Sequence, residues 1–128
     1  MARIIRSDSA PAAIGPYSQA VVHGGVAYCS GQIGMEPATG ALVEGGVEAE
    51  TRRALENLKA VLIAAGSGLE HALKVTVYLA DMSDYAAVNA IYAEFFDTAK
   101  PARAAVEVAR LPRDARVEID CLAAVPKG

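Results

Sequence analysis

Two charged residues near the carboxyl end of the chain are of the types that bind and process a small anionic substrate. Arg103 and Glu118 both lie in stretches that are otherwise typical of strands, KPARAAVEVA and ARVEID. A guanidinium in a half-buried strand needs a polar partner, because desolvating it without one is costly. An antiparallel return through the intervening turn would place Glu118 opposite the Arg103–Ala105 region.

That arrangement has two interpretations. The first is a structural ion pair on the surface of a sheet, and residue spacing alone favours it. The second is a ligand site, in which Arg103 binds a carboxylate through two hydrogen bonds while Glu118 orients a water molecule or moves a proton.

Four further residues are candidates for the same site. Tyr17 follows Gly-Pro, a rigid turn that can aim a phenol. Ser30 and Gly31 end a predicted strand, where a glycine lets the backbone N–H groups approach a ligand closely. Asn89 lies beside the apolar stripe of a predicted helix. Each also has an ordinary structural interpretation, namely a packed tyrosine, a strand-ending turn and a solvent-facing asparagine.

Two helices are predicted to position these residues. The first covers about Val47 to Ala65, and Gly66 follows it where a left-handed cap belongs. Its apolar stripe has alternating spacings of four and three residues and consists of Thr51, Leu55, Leu58, Leu62 and Ala65. The second covers about Asp84 to Phe96, with Ser83 as the predicted N-cap. Its stripe consists of Tyr85, Val88, Tyr92 and Phe95.

The remaining segments are predicted to be strands. RIIR is a short one, and SQAVVHGGVAYCSG forms two strands around a turn at Gly24 and Gly25. ALKVTVYLA alternates, and the face predicted to be buried carries Leu73, Val75, Val77 and Leu79. The last two strands cover 103–108 and 116–125. The order is β-β-β-α-β-α-β-β, which predicts an α+β fold with two helices on one face of a mixed sheet. The other face lacks a cover within one chain, so a closed oligomer is expected.

Composition narrows the functional classes. The 128 residues suffice for one domain covering 1–128, and 53% of them are hydrophobic. The net charge of −3 argues against a nucleic-acid partner. No apolar run is typical of a membrane span or a signal peptide, which predicts a cytoplasmic protein without a membrane partner. Cys29 and Cys121 are interpreted as buried hydrophobic residues, and His23 and His71 lack partners at ligand spacing, so no metal site is expected.

Longer stretches resemble one known family. SAPAAIGPYSQAV, SGQIG, NLKAVLIAAG, KVTVYLADMSDYAAVNAIYAEFF and KPARAAVEVARLPRDARVEI are similar, in order and spacing, to the reactive intermediate deaminase A (RidA/YjgF) family. The resemblance covers the chain from about Ser9 to Val125. Its agreement is distributed over the chain and does not rest on a single motif.

The resemblance implies a chorismate-mutase-like fold and a homotrimer, whose three sheets form a central barrel with active sites in the clefts between subunits. It implies a 2-iminobutanoate/2-iminopropanoate deaminase, which hydrolyses reactive enamines and imines such as 2-aminoacrylate to 2-keto acids and ammonia. No cofactor and no metal are implied. An alternative on the same fold is a non-catalytic protein that binds or senses 2-keto acids. Some relatives have been linked to ribonuclease activity, which the acidic net charge disfavours here.

The resemblance also implies a role for each candidate. Arg103 corresponds to the arginine that binds the substrate carboxylate, and Glu118 to the glutamate that positions or activates water. Tyr17 lines the pocket as a further catalytic residue, while three others contact the substrate: Ser30, Gly31 and Asn89. Many relatives have cysteine where this chain has Ala105, so only the Ala105 backbone is left to contact substrate there.

Overall fold

The computed structural model describes residues 1–127, and its elements follow the predicted order. The strands are β1 Arg3–Ile5, β2 Ala20–His23, β3 Val26–Gln32, β4 Ala72–Leu79, β5 Ala102–Glu107 and β6 Val117–Ala124. The helices are α1 Gly46–Ala64 and α2 Tyr85–Phe96. Short 3-10 turns at Leu69–His71, Met82–Asp84 and Pro112–Asp114 precede β4, α2 and β6.

All the strands join one mixed sheet in the order β1-β2-β3-β6-β4-β5. Only β4 and β5 pair in parallel, because α2 forms the crossover between them. The mixed α+β fold is therefore confirmed. The predicted antiparallel pairing of β5 with β6 is wrong, since β4 lies between them. Strand β6 buries every second residue and lies in the centre of the sheet. Strand β5 is shorter and more exposed, and it lies at the edge.

The core lies between one face of the sheet and the two helices. The predicted stripe of α1 is confirmed, since its five members are fully buried. In β4, Val75, Val77 and Leu79 are buried as expected, but Leu73 is 49% exposed. An irregular register between Ala72 and Lys74 explains this error, because the extra residue turns Leu73 outward and Ala72 inward.

The two predicted helix caps have different outcomes. Gly66 has a φ of 82° and follows α1 as expected. Its N–H donates to the Ile63 carbonyl and the Ser67 N–H to the Leu62 carbonyl, which together form a Schellman motif. Ser83 is not the N-cap of α2. It lies within the preceding 3-10 turn, where Asp81 accepts hydrogen bonds from both its N–H and its hydroxyl.

Within residues 1–127, no helix covers the opposite face of the sheet, which is called here the open face. Tyr28, Val106 and Leu122 on this face remain 47%, 39% and 37% exposed. Tyr78 also lies there, and its hydroxyl donates to Asp120 at 3.0 Å. Neither helix in residues 1–127 is both long and apolar enough to cross a membrane.

Candidate active site

Arg103 and Glu118 project from opposite faces of the sheet. Arg103 pairs with Val75 of β4, which is buried beneath the helices, so the two share the helix-covered face. Glu118 pairs with Tyr78 and therefore lies on the open face. The prediction that Glu118 lies across from Arg103 is wrong within one chain. A structural ion pair between them is also absent, and no carboxylate in residues 1–127 forms a salt bridge with Arg103.

Arg103 is instead held by side chains of α2. Its Nη1 donates to Asn89 Oδ1 at 2.6 Å, and its Nη2 donates to the Tyr85 hydroxyl. The guanidinium carbon lies 4.7 Å from the centre of the Tyr92 ring, a cation–π distance. The residue remains exposed, so the guanidinium is oriented without being neutralised. This group, called here the Arg103 cluster, is suited to bind a carboxylate from solvent.

Glu118 faces a separate cavity of about 300 Å³, called here the Glu118 cavity. Tyr17, Gly31 and Arg113 contribute to its polar and backbone lining. Its apolar wall comes largely from the segment after β1 and the end of β3, and consists of Pro11, Ala12, Ala13, Ile14, Ile33, Met35 and Pro112. A cavity of this size and mixed lining can enclose a small organic acid.

Burial changes the proton affinity of Glu118. Desolvation, followed by repulsion from Asp120, raises the pKa of the Glu118 carboxyl above its ordinary value. Arg103 does not offset this effect within one chain, since it lies on the other face. A raised pKa brings the carboxyl closer to the range in which one group can both donate and accept a proton, as general acid–base chemistry requires.

Gly31 fits against Glu118 because it has no side chain. A Cβ placed on Gly31 would collide with Glu118 Oε2 and lie only 2.7 Å from Glu118 Cδ. The register between β3 and β6 shifts between Cys29 and Gln32, so Ser30 and Gly31 form a β-bulge beside Glu118. The glycine therefore allows the carboxylate to lie across the bulged strand at the cavity.

The other candidate residues are distributed over these two regions. Tyr17 lines the Glu118 cavity and is 56% exposed. Ser30 does not line it, because its hydroxyl donates to the Ser18 carbonyl at 2.6 Å and its N–H donates to the Gln19 carbonyl. Ala105 projects from the same side of β5 as Arg103 and packs partly against the core. Within one chain, Tyr17, Gly31 and Glu118 lie together at the Glu118 cavity. Arg103 and Asn89 lie together in the Arg103 cluster.

Sequence reasoning missed Gln19, a buried residue of the cavity wall. Its Oε1 accepts from the Ser7 N–H at 2.6 Å, while its Nε2 donates to the carbonyls of Ser7 and Pro11 at 3.1 and 2.7 Å. The side chain thereby fixes the segment that supplies the apolar wall. A glutamine at the start of a predicted strand is a weak signal, because glutamine is usually exposed. Tyr85 belongs to the predicted apolar stripe of the second helix, and its spacing gives no sign that it orients Arg103.

Comparison with known proteins connects these regions with a family. A family model described as Endoribonuclease L-PSP matches residues 7–125. The chain belongs to this family, also called the YjgF/RidA family. The resemblance seen in the sequence is therefore confirmed.

Across residues 1–127, no group of three or more His, Cys, Asp or Glu side chains is arranged to hold a metal ion.

Individual relatives of the family cover nearly the whole chain. A RutC family protein of Pyrococcus horikoshii is 50% identical over 96% of this chain and 98% of its own length. A 2-iminobutanoate/2-iminopropanoate deaminase of Capra hircus is 52% identical over 94% of this chain and 88% of its own. The crystal structure of E. coli TdcF with bound serine superposes with a TM-score of 0.90 at 42% identity, covering 95% of this chain and 98% of that one.

Proposed function

We propose that the protein is an imine and enamine deaminase that converts 2-aminoacrylate and 2-iminopropanoate-type intermediates to 2-keto acids and ammonia. The observation that carries this proposal is the half-buried Glu118 carboxyl with a raised pKa, which lies against Gly31 at a cavity large enough for such a substrate. The 52% identity to the deaminase of Capra hircus supports the same reaction. The endoribonuclease description of the family is less compatible with a net charge of −3.

We further propose that one complete site combines the Arg103 cluster of one subunit with the Glu118 cavity of its neighbour. The two regions lie on opposite faces of a single sheet, so one chain does not join them. Exposed apolar side chains on the open face, among them Tyr28 and Leu122, favour association of copies through that face. A homotrimer with a central barrel would bury these side chains and place sites between subunits.

In such a site the roles follow from the chemistry of the side chains. Arg103, oriented by Asn89 and Tyr85, binds the substrate carboxylate. Glu118, when protonated, donates its proton to the methylene carbon of the enamine, which gives the protonated imine. The resulting carboxylate then accepts a proton from the water that attacks the imine carbon. Glu118 passes this proton to the amine of the carbinolamine and takes the hydroxyl proton as the C–N bond breaks. Ammonia then leaves the keto acid, so one water is consumed for each ammonia released.

A coupled assay tests the reaction. A serine/threonine dehydratase generates the imine in place, and release of the keto acid is followed with and without the protein. Wild type is expected to accelerate release, and Arg103→Ala to lose at least about 100-fold of that acceleration. The matched control is Arg52→Ala, which removes another exposed arginine, one that pairs with Glu94 at 3.0 Å. Binding of a keto acid without acceleration by wild type would reject the deaminase and favour the binding or sensor protein.

A further inference from the structure

The two cysteines of the chain face each other on adjacent strands. Cys29 of β3 and Cys121 of β6 are directly opposite in the antiparallel register. Opposite residues in such a pair project from the same face, and their Cα atoms are about 4.5 or 5.5 Å apart. A disulfide spans Cα separations of about 4.4–6.8 Å, so both values lie within the range that the bond can bridge. Both cysteines are free in this structure.

We propose that Cys29 and Cys121 are a redox-active dithiol that peroxide oxidises to a cross-strand disulfide. This inference is independent of the proposed deaminase, since it rests on the register of β3 with β6. It revises the interpretation of the pair as two buried hydrophobic residues. Both side chains lie on the helix-covered face, so an oligomer formed through the open face would leave their environment unchanged.

The two thiols differ in a way that assigns the order of the steps. Cys121 is buried with 2% exposure, whereas Cys29 is only partly buried. The neighbouring Cys29 thiol and burial raise the pKa of Cys121, which keeps that thiol protonated. Cys29 is therefore the group that meets the oxidant, and Cys121 is the resolving thiol.

The chemistry balances with one peroxide. The Cys29 thiolate attacks a peroxide oxygen, the O–O bond breaks, and the departing hydroxide takes up the proton released by Cys29. This leaves a sulfenic acid on Cys29 and one water. The sulfur of Cys121 then attacks the Cys29 sulfur, the S–O bond breaks, and the hydroxide leaves as water with the Cys121 proton. Two thiols and one hydrogen peroxide thus become one disulfide and two waters.

The disulfide would restrain the strands that form the Glu118 cavity. Ser30 and Gly31 of the β-bulge directly follow Cys29, and Glu118 lies in the same strand as Cys121. The cross-link also closes a long loop of the unfolded chain, which stabilises the folded state. The melting temperature of the oxidised protein is expected to exceed that of the reduced one by at least about 5 °C.

Mass spectrometry of the full chain tests the proposal. After treatment with hydrogen peroxide, the wild-type protein is expected to lose about 2 Da, to retain no titratable thiol, and to recover both thiols with dithiothreitol. A non-reducing peptide map is expected to show the Cys29–Cys121 cross-link. Cys29→Ser and Cys121→Ser are the matched controls, and neither is expected to lose this mass.

Comparing the rates of disulfide formation in native and unfolded protein shows whether the fold brings the two thiols together. Once Cys29 is oxidised, closure of the disulfide is expected to be at least about 10-fold faster in the native protein than in urea, where the two thiols rarely meet. Native protein that stays unmodified, gains oxygen on single thiols or forms only intermolecular dimers would overturn the proposal. An equal rate in urea would do so as well, since the register would then contribute nothing.

Discussion

Replacing Gly31 with alanine is expected to displace the Glu118 carboxylate. The new Cβ would lie 2.7 Å from Glu118 Cδ, whereas carbon atoms in contact are about 3.5–4.0 Å apart, so the carboxyl group must move by about 1 Å. A displacement of this size can cost a catalytic group about 100-fold, or about 2.7 kcal/mol of transition-state stabilisation. Because the colliding atoms end a flexible side chain beside a cavity, the free energy of unfolding is expected to fall by less than about 1 kcal/mol.

A double-mutant cycle isolates the cause. Keto-acid release in the coupled assay gives the loss of activity for Gly31→Ala, and thermal melts give its loss of stability. In a Glu118→Ala background the colliding atoms are absent, so Gly31→Ala is expected to leave the melting temperature nearly unchanged. Nearly full activity of the single variant would refute the reasoning. An equal loss of stability in both backgrounds would refute it too, because the collision would then involve other atoms.

Three further predictions concern stability and its pH dependence. Gly66→Ala forces an alanine into a left-handed φ of 82° and is expected to cost about 1 kcal/mol in denaturant melts, without loss of activity; unchanged stability would contradict this cap. Tyr92→Phe removes a buried hydroxyl that has no hydrogen-bond partner in residues 1–127, so stability is expected to hold or to rise by up to about 1 kcal/mol; a clear loss would reveal a partner. Glu118→Gln serves as the reference for the pH dependence of stability. Relative to it, wild type is expected to lose stability as the pH rises from the ordinary pKa of a glutamate to the raised pKa of Glu118. Over this range the native state retains a proton that the unfolded chain has released. Parallel curves of melting temperature against pH would show that burial does not perturb Glu118.

The fold was predictable because its signals are local and periodic. The stripe of α1, the alternation of β4 and the two glycines of the first hairpin each specify an element without reference to the rest of the chain. Strand order is a non-local property, so the sequence did not show that β4 lies between β5 and β6. The predicted burial of Leu73 is wrong for a related reason. A bulge reverses the alternation of side chains along the strand, and no sequence pattern marks its position.

The sequence predicted part of the grouping of the candidate residues but not its geometry. Tyr17, Gly31 and Glu118 do come together, and Asn89 does contact Arg103. Whether the Arg103 cluster and the Glu118 cavity share a face of the sheet depends on the register of β5 and β6 with β4. The sequence does not reveal this register. Gln19 and Tyr85 act by orienting other groups, a role that leaves little trace in spacing.

Mixing two inactive variants tests the proposed shared site most directly. Arg103→Ala and Glu118→Ala chains are each expected to be inactive, because every site lacks one of its two charged groups. If chains are unfolded together at equal amounts and reassembled at random, about one quarter of the sites of a trimer would combine an intact Arg103 with an intact Glu118. The account predicts recovery of about one quarter of wild-type keto-acid release in the coupled assay. No recovery from mixed oligomers, verified by mass spectrometry, would contradict a site shared between subunits.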